Sequence, residues 1–175
     1  MFGLFALGLG ACADRGSTEQ AQPVYFDLAG LIGQQVAQLG QLPAKATKST
    51  QMNGKIDRRT GLMVNWEQEL ALFAKADLNK PVLREAYTIQ KTATGITYTA
   101  KESGLVVEYL RISGLGAVPD SVAIRYHEKN TLYLTQREMY LTFANEQLRS
   151  YRIKGYQQMV LSDTVHYAVE GQVEQ

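Results

Sequence analysis

The segment Ser121-Val-Ala-Ile-Arg-Tyr-His-Glu128 alternates between apolar and polar residues along its length. Val122, Ile124 and Tyr126 fall on one side of an extended chain, and the residues between them fall on the other. This is the pattern of a strand with one face buried and one face in water, which is typical of antiparallel sheets. The segment therefore predicts an antiparallel sheet with a wet side.

The period of two continues on both sides of this segment, from residue 84 to residue 173. Short polar connections, such as Thr94-Gly95 and Lys129-Asn130, separate the strands as in a meander. The predicted strands are 84–92, 95–101, 105–113, 121–128, 131–137, 139–144, 148–155 and 164–173.

Two helices are predicted ahead of this sheet. Asp27 is a candidate N-cap for a first helix with an apolar stripe, which should end near Gly40. Asn65 opens a second helix, and Gln68 stands at the spacing of a capping box. The second helix should end near residue 79, because Pro81 forbids its continuation.

Residues 44–57 alternate small or apolar residues with polar ones, which favours one strand, although Asn53-Gly54 could instead be a hairpin turn.

Trp66 opens the apolar stripe of the second helix and is expected to pack against the sheet; the alternative is a ligand pocket lined by this ring. The predicted fold is α+β: two N-terminal helices packed on one face of a large, curved antiparallel sheet, which could half-close into a half-barrel to protect its edges. Residues 24–175 are expected to form this single domain.

The chain begins with an uncharged apolar stretch and turns polar directly after Cys12. This organisation predicts a secretory signal peptide over residues 1–11, too short to span a bilayer. Residues 12–23 are small and polar, which is typical of a flexible tether. The signal lacks the usual Lys or Arg at its start, so the true start could lie upstream. The alternative is an apolar N-terminal helix or strand with a buried cysteine.

The residues Leu9-Gly10-Ala11-Cys12 resemble the lipobox of bacterial lipoproteins. That resemblance implies removal of residues 1–11 and acylation of Cys12 with diacylglycerol and a further fatty acid such as palmitate. Each buried methylene contributes about 0.8 kcal/mol, so several acyl chains form an anchor that hardly dissociates. Cys12 is the only cysteine, and the domain therefore needs no disulfide to fold outside the cytoplasm.

A second resemblance lies in the segment 66–73, followed by 76–81 and Tyr87. It is similar to a group of uncharacterised bacterial lipoproteins that combine a lipobox with a Trp-x-x-Glu-Leu helix and an Asn-Lys-Pro exit. The resemblance implies a lipid-anchored location in the bacterial cell envelope, with the outer membrane preferred on its periplasmic or surface side, and implies no activity. At the level of fold alone, helices on a sheet are also similar to the lipoprotein-localisation factors, whose half-barrels hold acyl chains.

Charge and motifs exclude several function classes. Eighteen Lys and Arg balance 17 Asp and Glu without long runs of one sign, so no nucleic-acid partner is expected. A nucleophile elbow is absent, and an acylated Cys12 cannot serve a Cys–His pair. The segment 127–131 begins like a zincin motif but has Thr131 where the second ligand should stand. We therefore expect no enzyme, no cofactor and no metal; a hydrolase with dispersed carboxylates is the weakest alternative.

His127 and His166 are the only histidines, and we interpret them as surface residues of two strands rather than metal ligands. Cations and phenols on the late strands are the candidate ligand- or partner-binding residues; an ordinary solvated sheet face is the simpler alternative. The candidates are Arg125, Tyr133, Arg137 and Tyr151, with Arg149 and Arg152 nearby.

These observations predict a non-enzymatic interaction or accessory module held at the membrane by its lipid, with an envelope protein as its partner. The alternative is a carrier of lipid or another hydrophobic ligand on a concave sheet. A carrier needs an open apolar cavity, so a core filled by Trp66, Phe73 and the strand residues would count against it.

Overall fold

The structure, a computed structural model, describes residues 23–41 and 44–174. The predicted signal peptide, Cys12 and most of the tether lie outside the described residues. The chain order is α1 (Leu28–Gln41), β1 (Lys45–Met52), β2 (Lys55–Met63), α2 (Trp66–Lys75), a short 3-10 turn (Pro81–Leu83), β3 (Tyr87–Thr92), β4 (Gly95–Ala100), β5 (Val107–Ser113), β6 (Ser121–Lys129), β7 (Tyr133–Ala144), β8 (Gln147–Met159) and β9 (Val165–Glu174).

The nine strands of the described residues form one antiparallel sheet in the order β2-β1-β9-β8-β7-β6-β5-β4-β3. The predicted α+β class, with both helices near the N-terminus, is confirmed. The strands β2 and β3 are the two edges, so the sheet does not close into a barrel. The half-barrel curvature remains a prediction.

Residues 44–57 are not one strand, and this prediction is wrong. They form the hairpin β1–β2, in which Met52 pairs with Lys55. Asn53 and Gly54 have φ values of 46° and 86°. Two successive positive φ values are what a two-residue hairpin turn requires, and Asn-Gly tolerates them best. The hairpin alternative is therefore confirmed.

Other boundaries also differ from the prediction. Strand β3 begins at Tyr87 rather than at residue 84, and β8 continues to Met159 rather than ending at residue 155. The segments 131–137 and 139–144 are one continuous strand, β7, because Arg137 and Glu138 both remain paired in the ladder to β8. Helix α2 ends at Lys75 rather than near residue 79. The caps are confirmed: Asp27 Oδ1 accepts the N–H of Gly30 at 2.8 Å, and Asn65 Oδ1 accepts that of Gln68 at 3.1 Å.

The segment after α2 fastens the start of the domain. Asp77 Oδ1 accepts the first two amides of α1, from Leu28 at 3.1 Å and from the next residue at 3.4 Å. Asn79 Oδ1 accepts the N–H of Tyr25 at 3.0 Å, and its Nδ2 donates to the carbonyl of Phe26 at 3.1 Å. These bonds explain why α2 ends early, since the residues beyond Lys75 turn away to hold the chain that enters α1.

Both helices contribute to the same buried cluster as the strands. The core prediction for Trp66 is confirmed, because its side chain is 5 % exposed. Gln35 Oε1 accepts the N–H of Leu148 at 2.7 Å, and the ring of Phe73 meets Tyr151 edge-on with the centroids 6.5 Å apart. Among the described residues, neither helix has the length and apolar character needed to cross a bilayer.

One side of the sheet carries the buried row Leu110, Ile124, Met139 and Ile153, which are cross-strand neighbours. We call this side the core face and the opposite side the outer face. Side chains alternate between the two faces along each strand, so the row fixes the faces of the neighbouring residues as far as the register irregularities between Val107 and Tyr109 and between Thr142 and Phe143.

Candidate functional site

A polar cluster continues the core face beyond its last buried apolar residues. Along β7, Tyr133 and Arg137 precede buried Met139 at even spacing, so they lie on the core face. Register places Tyr126 opposite Arg137 and Glu128 opposite Thr135. On the other side, β8 pairs Gly155 with both Arg137 and Tyr167. We call this set the tyrosine–arginine cluster: Tyr126, Glu128, Tyr133, Arg137 and Tyr167.

Glu128 is the acceptor at one end of the cluster. Its carboxylate accepts the hydroxyl of Tyr133 at 2.6 Å and that of Tyr126 at 2.9 Å. The bond from Tyr133 is the largest cause of a lowered pKa of Glu128, followed by the bond from Tyr126, with Arg137 and Lys75 adding smaller effects. Glu128 is therefore ionised at neutral pH and holds both phenols in place.

Arg137 lies at the centre of the cluster. Its Nε donates to the hydroxyl of Tyr167 at 2.7 Å, and its guanidinium carbon lies 5.2 Å from the centre of the Tyr126 ring. Within residues 23–41 and 44–174 no carboxylate forms an ion pair with Arg137, and its terminal Nη atoms have no hydrogen-bond partner. The side chain is thus oriented through Nε while its two terminal nitrogens remain available to an external acceptor.

Gly155 makes the contact between Arg137 and Tyr167 possible. It lies between them on β8, and a Cβ at this position would stand 2.1 Å from the carbonyl oxygen of Gln136. No side chain therefore separates the two residues, and the arginine can reach across β8. Gly155 was the last residue of the predicted strand 148–155, and only the continuation of β8 to Met159 places this glycine in a strand interior, where it marks a close approach.

Burial is the largest cause of a raised pKa of Tyr126; together with the hydrogen bond to Glu128 and the negative charge of that carboxylate, it brings the pKa to about 12. We expect Glu128→Gln to lower the pKa of Tyr126 while leaving it above its ordinary value, because the burial remains. The tyrosinate absorbance of Tyr126 is the difference between the pH titration of a protein and that of the same protein with Tyr126→Phe. The pKa of Tyr126 is measured in this way both with and without Glu128→Gln. Glu108→Gln, on the His127 pair, should leave it unchanged; an unchanged pKa in Glu128→Gln would contradict the assignment.

An open groove of about 810 Å³ adjoins the cluster at Tyr133. It lies where the β6–β7 and β8–β9 connections meet, and combines polar groups with the apolar side chains of Leu134 and Met159. The remaining lining residues are Lys129, Asn130, Gln158, Val160, Leu161, Ser162 and Asp163. A ligand that reaches Arg137 could therefore extend along an adjoining groove.

The structure brings together two of the four sequence-predicted binding residues, Tyr133 and Arg137. Arg125 lies on the outer face, 3.9 Å from Glu138, so it cannot share a site with them. Tyr151 is 2 % exposed in the core, which leaves its side chain unable to meet a partner without unfolding. Sequence reasoning missed Tyr126, Glu128 and Tyr167, although the period of two in the segment 121–128 placed the first two on the apolar side.

The two histidines do not meet. His127 Nδ1 lies 3.1 Å from Glu108 Oε1, and the ring of His166 lies beside that of Tyr156. Register separates the histidines by three strand spacings. In the part of the chain that the structure describes, no group of three or more His, Cys, Asp or Glu residues could hold a metal.

Comparison of the chain with known protein families found no matching family model, and searches of curated proteins and of solved structures found no significant match.

Proposed function

We propose that this protein is a non-enzymatic interaction module of the bacterial cell envelope, anchored by lipid on Cys12, which binds a carboxylate of a protein partner at Arg137. The proposed precursor loses residues 1–11, and residues 12–23 connect the lipid to the domain. The lipobox resemblance supports the anchor, and the geometry of Arg137 supports the binding site.

In the arrangement we propose, both helices lie across the core face and leave the tyrosine–arginine cluster uncovered. Contacts from Gln35 to Leu148 and from Phe73 to Tyr151 support this placement at the β8 end of the core. The charge of Lys75, the last residue of α2, acts on Glu128, which supports an end of α2 beside the cluster. The partner would then approach beyond the end of this helix.

The availability of the Arg137 guanidinium is the observation that carries the proposal. Its planar fork can donate two parallel hydrogen bonds to one carboxylate, and Nε is already used by Tyr167 to fix its orientation. Arg137 and Lys75 together outweigh the negative charge of Glu128 by about one positive charge, which matches a singly charged carboxylate better than a doubly charged phosphate.

The filled core favours an interaction module over a lipid carrier. Trp66, Phe73, Met139 and Tyr151, which come from α2 and two central strands, are all at most 5 % exposed. Buried side chains in protein cores are generally close-packed, so an acyl chain would have to displace these residues to enter.

The test uses the full chain and arrayed peptides with free C-terminal carboxylates, each matched by its amide. We expect peptides that bind only as carboxylates, and we expect Arg137→Gln to weaken their binding about tenfold, because a charge-assisted hydrogen bond contributes about 1.5–3 kcal/mol. Arg125→Gln is the matched control on the outer face. Thermal unfolding of both variants verifies the fold. The absence of carboxylate-dependent binding, or equal loss in both variants, would contradict the proposal.

A further inference from the structure

Four apolar side chains are exposed together at one end of the sheet. Leu132 is 68 % exposed on the β6–β7 connection, and Met159, Val160 and Leu161 are 53 %, 60 % and 102 % exposed at the β8–β9 connection. We call these four residues the apolar tip. Single exposed apolar residues are ordinary, but a group of four on adjoining turns indicates a contact surface.

The apolar tip is held together by hydrogen bonds. The N–H of Val160 donates to the carbonyl of Leu132 at 2.9 Å, which fastens one turn to the other. Asn130 Oδ1 accepts the amides of Leu132 and Tyr133 at 2.8 and 2.9 Å. Leu161 has a φ of 65°, a conformation that residues with side chains rarely adopt. The two turns thus present a fully exposed leucine whose side chain the domain itself does not bury.

We propose that the apolar tip inserts into the surface of the lipid bilayer to which the protein is anchored. The inference rests on the proposed lipid anchor, and the reach of the tether supports it. The chain enters the domain beside β4, where the N–H of Phe26 donates to the hydroxyl of Tyr98 at 3.1 Å. Cys12 precedes Pro23 by eleven residues, which extend at most about 36–40 Å.

The apolar tip lies within that reach. Tyr98 belongs to the same cross-strand row as Met139 of β7, three strand spacings or about 14 Å away. Leu132 lies seven residues before Met139, about 23 Å along the strand direction. The two distances combine to roughly 27 Å along the sheet, so a lipid on Cys12 and the apolar tip can reach the same membrane plane.

The residues around the apolar tip suit a membrane interface. Tyr133 and Lys129 line the adjoining groove, and both residue types place an apolar body near lipid with a polar end in water. Lys129 and Asp163 balance each other in charge, so apolar burial rather than attraction to anionic lipid would supply the binding energy.

The first experiment measures depth in the full chain reconstituted in vesicles of phosphatidylethanolamine with a minority of phosphatidylglycerol. A cysteine at the tip, Leu161→Cys, carries an environment-sensitive dye; the matched control is Leu115→Cys, which is 64 % exposed at the opposite end of β6. We expect a blue shift and quenching by nitroxide lipids at position 161 only. Equal emission at both positions in the presence of vesicles would overturn the proposal. A blue shift at position 161 before vesicles are added would also overturn it, because it would indicate that a second copy of the protein covers the apolar tip.

The second experiment separates the tip from the anchor. In the mature chain, residues 12–175, with Cys12→Ser and therefore without the apolar residues 1–11, we expect Leu161→Asp to reduce flotation with the same vesicles roughly tenfold. The reason is that burying one leucine side chain contributes at least about 1.5 kcal/mol. Leu115→Asp should leave flotation unchanged, and equal flotation of the two variants would overturn the tip contact. Mass spectrometry of the unsubstituted chain tests acylation of Cys12, so failure of the anchor is seen independently of failure of the tip.

Discussion

Replacing Gly171 with alanine is expected to lower the free energy of unfolding by about 2–3 kcal/mol, because the added methyl group must enter a filled core. Gly171 lies directly opposite Tyr151 in the β8–β9 ladder, and a Cβ there would stand 2.1 Å from two ring carbons of Tyr151. The ring cannot move aside easily. Its hydroxyl donates to Glu69, which is also 2.6 Å from Lys48, and Phe73 meets it edge-on.

The measurement is denaturant unfolding of Gly171→Ala alone and combined with Tyr151→Leu. If the collision with the ring is the cause, the double variant should be more stable than the sum of the two single effects predicts. Gly33→Ala is the matched control, since nothing lies within 4 Å of a Cβ at that exposed helical position. It should stabilise the protein by about 0.5–1 kcal/mol. Strict additivity in the double variant would contradict the predicted contact.

Substituting Asp77 with alanine should destabilise the domain by about 3 kcal/mol, since hydrogen bonds to a charged group contribute about 1.5–3 kcal/mol each and are not fully additive. Asp77 accepts the first amides of α1 and, through Oδ2, the N–H of Asn79 at 2.9 Å. Its loss would leave those amides without their acceptor and would also remove a negative charge from the start of α1.

Thermal unfolding of Asp77→Ala and Asp77→Asn tests this role. Asn keeps the volume of Asp and one acceptor oxygen but not its charge, so it should recover only part of the lost stability, whereas a role in space filling alone would leave Asp77→Asn as stable as the unsubstituted protein. Asp57→Ala is the control: this carboxylate is exposed and pairs only with Arg59 among the described residues, so its loss should cost less than 1 kcal/mol.

Much of the fold was predictable because local chemistry determines it. The alternation in the segment 121–128 identified a half-buried strand, and the caps Asp27 and Asn65 identified the helix starts. Strand ends were harder, since Arg137-Glu138 reads as a polar break while both residues stay in the ladder between β6 and β8. A single strand over 133–144 could be recognised only from its two partners.

The candidate site was only half predictable because it depends on register. Arg125 and Arg137 look equivalent in sequence, yet the pairing of Tyr126 with Arg137 places the two arginines on opposite faces. An irregularity in register, such as that between Val107 and Tyr109, shifts the alternation by one residue and is invisible in composition. Tyr151 was misjudged for a related reason, since a phenol on a strand can be a solvated group or a core residue according to which face it occupies.

The position of β1 in the sheet constrains the order of folding. Its inner neighbour is β9, so Lys45 pairs with Glu174, while every other strand pairing in the sheet joins strands that are consecutive in sequence. Local hairpins can form while the chain is being made, but the β1–β2 hairpin finds its partner only after the last strand is complete. Such a non-local closing step is intrinsically slow. The complete sheet therefore forms late in folding, and β1 and β9, from the two ends of the domain sequence, then stabilise each other.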